Sequence, residues 1–364
     1  MKVSPLKELY PSTVNAAELA GCEVPVSYTT VEHEYDVLRH HVGIIDGVGY
    51  CILKVTGDDA GGFLDTLVTK DVSFLNPGKV SECLFLTEDA VTIGIAYVIN
   101  SEDAYFVLVP PENAEAVKAW VMERATDEVC VEDLSDSHAL AFIEGEKSWQ
   151  IVKELFSFPV ETLPLRDMTV IEHAGKSLMM SRIGRSGEYG YCFVTPREEL
   201  LGLVREMQET FPEMGLEFCG TDALETCMLE ISQPVFSAET AAEGNLFELN
   251  EQWFVQFEKE EYCGHDKLME LFEEDREKLS VGFSSPVKDV PDGAEITLFG
   301  EKVGKVLRCR NNPAVGGVLG LALLRSDVAV SGLEMTLHVD GREYELKTLS
   351  SPFVRPLSWD SQME

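Results

Sequence analysis

Tyr50–Thr56, apolar through Val55 except at Lys54, reads as a strand. Gly57 then turns the chain into a helical pattern, Asp58–Thr69, with Phe63, Leu64, Leu67 and Val68 on one face. Three strand-like runs follow, Cys83–Thr87, Val91–Ile99 and Tyr105–Val109. A second helix opens at Pro110-Pro111, where a first-turn proline forfeits no hydrogen bond, and continues through Ala116, Val117, Trp120 and Val121.

The same succession returns. His138–Ile143 reads as a strand, Gly145 as the turn, and Glu146–Phe156 as a helix with Trp149, Ile151, Val152 and Leu155 on its apolar face. Met168–Glu172 and Leu178–Arg182 form a hairpin pattern around Gly175, Tyr191–Val194 a strand, and Pro196 opens the helix Arg197–Glu209. Gly57 and Gly145 stand 88 residues apart, and the helix-opening prolines repeat at nearly that interval. Such agreement predicts two related α+β units, about 45–125 and 135–275, within a region spanning 1–277.

Beyond Lys278 the texture changes. Ser280–Phe283, Glu295–Phe299, Val303–Cys309, Gly317–Leu324, Glu334–His338 and Tyr344–Leu349 are short strand patterns separated by Gly, Pro and Asp, which predicts a small β-barrel over 278–364. The acidic stretch Glu258–Lys278 before it carries Leu268, Met269, Leu271 and Phe272 at helical spacing and reads as a solvated helix.

Charge narrows the functional classes. The 64 acidic side chains against 29 basic ones leave a net charge of −35 over 364 residues. This argues against a broad basic face for nucleic acid and against an anionic membrane surface. With 45% hydrophobic residues the chain can bury a core. No apolar leader follows Met1, the longest apolar runs are too short to span a bilayer, and nine dispersed cysteines lack any CxxC pair. A cytoplasmic protein with reduced thiols is the expectation.

Searches for familiar chemistry find no Walker loop, no GxGxxG after a strand, no GxSxG elbow, and no HExxH or Cys/His zinc spacing; no metal is expected. His33, His40 and His41 lie on or beside a helix capped at Thr29 or Thr30, most simply as a solvated face. In Ser181-Arg-Ile-Gly-Arg-Ser-Gly-Glu188-Tyr-Gly-Tyr-Cys192, Glu188 stands in a tight glycine turn ahead of a buried strand. Its carboxylate either accepts hydrogen bonds from an amino-heterocycle or caps the turn.

Taken in order, these segments resemble the aminomethyltransferase family, the glycine cleavage T-protein and its folate-dependent relatives. Glu32–Arg39, Val42–Asp46, Val55–Ala60, Phe63-Leu64, Asp71-Val72 and Leu75–Lys79 follow the family's opening. Ser181–Gly184 with Ser186-Gly187-Glu188-x-Gly190-Tyr191 matches its folate-site signature, and Phe247-Glu248, Trp253, Val255, Lys259 and Gly264 the closing segment. Pro352-Phe353-Val354 matches its C-terminal end. The resemblance implies an α+β fold of duplicated, ferredoxin-like units and a C-terminal barrel in a ring-like, three-part arrangement, with tetrahydrofolate as cofactor. It implies that Glu188 holds the pterin edge, that Trp253 packs near the cofactor, and that Arg182 and Tyr191 of the signature also contact it.

Several positions depart from the family pattern. Where the family has an aspartate pair, one member of which is thought to assist attack on the aminomethyl carbon, this chain has Val91-Thr-Ile93-Gly94-Ile95. A family asparagine becomes Pro110, an arginine Leu224, and a tyrosine Glu82. The catalytic residue is thus left unknown, with Glu82 as the candidate substitute acid or base. The main expectation is an enzyme that moves a methyl group from a small N-, O- or S-methyl donor to tetrahydrofolate. The alternatives are the glycine-cleavage aminomethyltransferase reaction, with the acid supplied from elsewhere, and a non-catalytic folate-binding accessory protein. A lipoyl carrier protein, usually acidic, is an unfavourable partner for a chain of this charge.

Overall fold

The computed structural model describes residues 2–236 and 243–363. The chain divides into two compact units. One comprises residues 2–224, 254–265 and 356–363, and the other 266–355 with the described part of 225–253.

In the first unit the duplication is carried by sheet topology. The first repeat runs through the strand Cys51–Thr56, the helix Ala60–Asp65, the strands Val80–Leu86, Thr92–Asn100 and Tyr105–Val109, and the helix Ala114–Arg124. The second runs through His138–Glu144, the helix Ser148–Leu155, Met168–His173, Lys176–Ser181, Gly190–Pro196 and the helix Arg197–Thr210. In each sheet the four strands lie side by side in the spatial order second, third, fourth, first. A fifth strand pairs antiparallel beside the first of each set: Cys130–Asp133 in one sheet and Val42–Asp46 in the other, where Leu216–Phe218 adds a parallel edge.

The turn glycines occupy equivalent places. Gly57 has φ 123° and Gly145 φ 139°, and a Cβ at either would stand 2.3 Å from a carbonyl oxygen, of Glu128 and His41 respectively. Only glycine fits both demands. The two repeats also join edge to edge through an antiparallel bridge between Lys79 and Asp167. Val80 N–H donates to Arg166 O at 2.8 Å, Met168 N–H to Gly78 O at 2.7 Å, and Lys79 Nζ lies 2.7 Å from Asp167 Oδ2. Each bonded pair is related by the repeat interval or nearly so, the local signature of a pseudo-two-fold relation between the units.

Helices cover one face of each sheet. Phe63, Leu64, Val117 and Val121 bury against Leu53, Phe85 and Val98, while Ile151, Val152, Leu200 and Val204 bury against Ile143, Met180 and Phe193. The opposite faces, with Ile52, Leu84, Ile95 and Ile99 on one sheet and Ile45, Leu140 and Phe142 on the other, are equally buried. The first helix of the first repeat is shorter than its pattern predicts. The carbonyls of Asp65, Val68 and Lys70 instead accept from Lys259 Nζ at 2.5–3.0 Å, a substitute for continuing helical bonds.

In the second unit all six expected strands form a closed barrel in the order Lys278–Ser285, Gly317–Arg325, Glu301–Asn312, Glu295–Leu298, Glu334–Val339 and Arg342–Leu349, which pairs back to the first. Phe283, Ile296, Leu324, Leu337 and Leu346 fill it. The acidic stretch before the barrel is helical only over His265–Glu273, shorter than predicted, with Leu268 buried. An N-terminal hairpin, Asn15–Leu19 with Cys22–Ser27, has no counterpart in the predicted elements. All nine cysteines are free, and six of them are buried.

Candidate functional site

The helix Val31–His40 is capped by Thr30, whose hydroxyl accepts from His33 N–H at 3.2 Å. His33 and His40 pair with Glu217 and Asp36 at the surface, as a solvated face predicts. The opposite face was not legible, because it buries charge. Glu34 accepts from the backbone N–H groups of Tyr28, Thr29 and Gly220. Arg39, also buried, reaches the glycine turn at 184–190.

Two carboxylates hold that turn. Glu144, at the end of its strand, accepts from Arg185 N–H and Ser186 N–H, the latter at 2.7 Å. Burial raises its carboxyl pKa, and those hydrogen bonds offset part of the rise. Glu188 has no exposed side-chain surface. Its Oε1 accepts from Arg39 Nη1 at 2.6 Å and Leu357 N–H at 3.0 Å, and its Oε2 from Ser358 N–H at 2.8 Å. The C-terminal segment adds Trp359 Nε1–H to Gly187 O at 3.2 Å and receives Tyr189 O–H at Ser361 O. Glu188 therefore ties together a helix, a turn and the tail, and accepts a pterin edge only if the tail leaves.

The other expected cofactor residues are dispersed. Tyr191 faces the helix-covered side of its sheet, fully buried, and its hydroxyl has no hydrogen-bond partner among the described residues. Arg182 donates to Leu163 O at 2.6 Å and lies over the Tyr189 ring. Trp253, 42% exposed, belongs to the second unit, where it lines a cavity of about 510 Å³ with Glu251, Asn250, Leu321 and Phe353.

Glu82 lies on the face of its sheet opposite the helices, directly across the ladder from Tyr97. Arg166 Nη2 is 2.7 Å from its Oε2, and Glu82 itself is 4% exposed. Arg166 holds an αL backbone, φ 64°, clamped by Val80 N–H donating to its carbonyl and its own N–H donating to Arg182 O. A strained backbone kept in place by ladder bonds thus delivers a guanidinium to a buried carboxylate. Burial, with Glu82 next, holds the Tyr97 phenol well above its usual pKa. Burial also raises Tyr50, while neighbouring Arg185 works the other way. Burial opposes the charge on Arg185, but Tyr50, Glu112 and Tyr97 more than restore it. Arg39, Arg166 and Arg185 were missed in the sequence, although Arg185 interrupts the family signature and was its one visible signal.

The missing acid has a packing explanation. A Cβ on Gly94 would stand 2.4 Å from Asn113 Cβ and 2.9 Å from Val117 Cγ2, so helix Ala114–Arg124 and its N-cap occupy the space of a side chain there. Ile95 points to the opposite face, across the ladder from Leu84 and one diagonal step from Glu82. Among the described residues no group of three or more His, Cys, Asp or Glu is placed to hold a metal, and no helix is long and apolar enough to cross a membrane.

Comparison with known proteins adds the following. A family model described as the GCVT N-terminal domain matches residues 12–259, and one described as the glycine cleavage T-protein C-terminal barrel domain matches 278–355. An aminomethyltransferase of Bacillus subtilis (strain 168) is 26% identical over 360 residues, 98% of this chain and 99% of that one. One from Clostridium botulinum (strain Loch Maree / Type A3) is 27% identical over 359 residues, 96% of each. The crystal structure of glycine cleavage system aminomethyltransferase T from Bartonella henselae superposes with a TM-score of 0.86 over 98% of both chains at 21% identity, which supports the fold.

Proposed function

The chain belongs to the glycine cleavage T-protein family, folate-dependent one-carbon transferases, and from that premise we propose that it transfers an aminomethyl-derived one-carbon unit from a lipoyl carrier protein to tetrahydrofolate. The observation that carries this reading is the correspondence, over 96–99% of both chains, with proteins named aminomethyltransferase. It reverses the preference for a small methyl donor drawn from the residues alone.

Glu188, Arg182 and Tyr191, as placed, are engaged within the protein: the first accepts from three protein donors and has no exposed surface, the second donates to a backbone carbonyl, and the third is enclosed in a core. What the chain supplies is Glu82, a buried carboxylate steadied by Arg166 on the same sheet face as Ile95, where a proton can be taken or given. In the second unit Arg276, Lys278, Lys302, Lys305 and Arg325 line one groove, but Lys302, Lys305 and Arg325 are paired with Glu295, Glu243 and Glu301, so the groove does not reverse the overall charge that disfavours an acidic carrier.

A methyl transfer from a small donor stays as the second reading, favoured by the closure of Gly94 against Asn113. The deciding experiment supplies the protein with tetrahydrofolate and either an aminomethyl-loaded lipoyl carrier or a panel of N-, O- and S-methyl compounds. Release of ammonia with methylenetetrahydrofolate supports the first reading. Methyltetrahydrofolate from the panel alone supports the second. Neither product, with no folate bound, overturns both.

A further inference from the structure

Resting on the one-carbon transfer reading above, we infer that Arg185 recognises a carboxylate on the small molecule that reacts at the sheet face of Glu82.

Arg185 is 8% exposed, and among the described residues no carboxylate stands within ion-pair distance of its guanidinium. Its neighbours are phenols: it donates to the Tyr50 hydroxyl, and Tyr97 lies close by. Burial holds both phenols in the neutral form. Glu112 and Glu144 act on it from beyond ion-pair distance, and both Glu144 oxygens are taken by the N–H groups of Arg185 and Ser186. A buried carboxylate escapes its cost by taking a proton, whereas a guanidinium keeps its charge. Such a charge is costly unless an anion pairs with it. Arg39, the other buried arginine at this turn, has that partner in Glu188. Arg185 has none.

The backbone that presents Arg185 is fixed. Its N–H donates to Glu144 Oε2 at 3.0 Å, Ser186 N–H to the same oxygen at 2.7 Å, and Arg39 Nη1 to Ser186 O at 3.1 Å. A Cβ on Gly190 would stand 2.7 Å from Gly184 Cα, so the two ends of the turn touch. Tyr50 is held as firmly, with its N–H on Gly47 O at 3.1 Å and its ring 5.6 Å from that of Phe142. A guanidinium on a rigid turn is preorganised for a planar, two-oxygen ligand.

The chemistry of the ligand follows from the face. Ile52, Leu108, Tyr97 and Glu82 stand in one row across the sheet, and Tyr50, two residues before Ile52, extends the same side. Glu82 and Arg185 both act on Tyr97. One face therefore carries a cation for a carboxylate and a carboxylate that exchanges a proton. Two kinds of molecule in such a transfer bring a free carboxylate: an N-methyl amino acid as donor, and tetrahydrofolate through its glutamyl end. Arg185 is also the residue that interrupts the family signature, so the resemblance assigns it no role.

Calorimetric titration of the full-length protein tests this with two pairs of ligands that differ in a free carboxylate: N-methylglycine with its amide, and 5-formyltetrahydrofolate with its glutamyl dimethyl ester. Wild type is expected to prefer the carboxylate in one pair by about tenfold or more, the worth of a charge-assisted hydrogen bond. The first pair would place the carboxylate on the donor, the second on the folate. Arg185→Met should bring the preference to within about twofold while leaving the amide or ester bound as in wild type, an effect that a merely structural arginine does not produce. Arg185→Lys keeps the charge without the planar fork and should lose part of the preference, and it decides the matter if Arg185→Met does not fold. An undiminished preference in the folded variants, or an equal loss for both members of a pair, overturns the assignment. So does wild type without preference in either pair. Ammonia release or methyl transfer by that same wild-type protein would leave the transfer reading standing, whereas neither product, with no folate bound, overturns that reading too.

Discussion

Arg39 Nη1 lies 2.6 Å from Glu188 Oε1, and both side chains are out of solvent, at 4% and 0% exposure. The pair joins residues 149 positions apart, one on a helix and one in a glycine turn, and the same carboxylate caps the N–H groups of Leu357 and Ser358. Two separately polar segments become one interior feature.

Breaking that pair from either side strands a buried charge, which typically costs about 3–5 kcal/mol. Arg39→Met and Glu188→Gln are each expected to lower the urea midpoint accordingly, and the double variant to lose less than the sum. Ending the chain at Arg355 removes the two backbone donors to Glu188 together with the Trp359 and Ser361 contacts, and should cost at least about 1–3 kcal/mol. If the Glu188 carboxylate is a folate contact covered by the tail, that truncation should raise the affinity for 5-formyltetrahydrofolate at least tenfold; unchanged affinity would show that Glu188 serves only as the clasp.

Position 94 and position 95 answer differently to an acid. Gly94→Asp forces its side chain into Asn113 and Val117, and overpacking of this kind costs about 1–3 kcal/mol. Ile95→Asp places a carboxylate on the face shared with Glu82 and Tyr97. The expected outcome is a higher rate of aminomethyl transfer by Ile95→Asp than by Gly94→Asp at matched folded fraction, measured as ammonia release.

Glu82→Gln removes the buried proton-transfer group, and losses for such groups run to about 10²–10⁴ in rate. The loss should fall on kcat and leave folate affinity within twofold of wild type. Arg166→Met should act through Glu82 and shift the pH profile of the rate, which a purely structural role would not do.

Glu251 also sets a pH dependence of stability. Its carboxyl is raised by burial from 4.5 to about 8, so between those values the unfolded chain has lost a proton that the folded chain retains. The contribution is complete below pH 4.5, declines as pH rises, and is gone above about 8, with a slope of at most about 1.4 kcal/mol per unit. Urea titrations of wild type and Glu251→Gln across that window check it: the variant should lack this slope.

The repeat was legible because it is written in local chemistry. Gly57 and Gly145 must adopt positive φ against a carbonyl, and the strand and helix periods around them follow from which face is buried. The six barrel strands were legible for the same reason, each a short strand pattern set between Gly, Pro and Asp. The resemblance to a folate-dependent family likewise rests on ordered local matches, and the family models match nearly the whole chain.

Linear order could not show which charged groups meet. Arg39, Arg166 and Arg185 look like ordinary surface residues until folding brings each to a buried acid or phenol, at separations the periodicity does not encode. Whether Glu188 is a ligand or a clasp was open in the sequence, because one carboxylate in one turn suits both. The placement of the tail beside it made it a clasp. Backbone conformation and burial are dictated by near neighbours along the chain, whereas the cost of a buried charge depends on who stands opposite, and that is a property of the folded molecule alone.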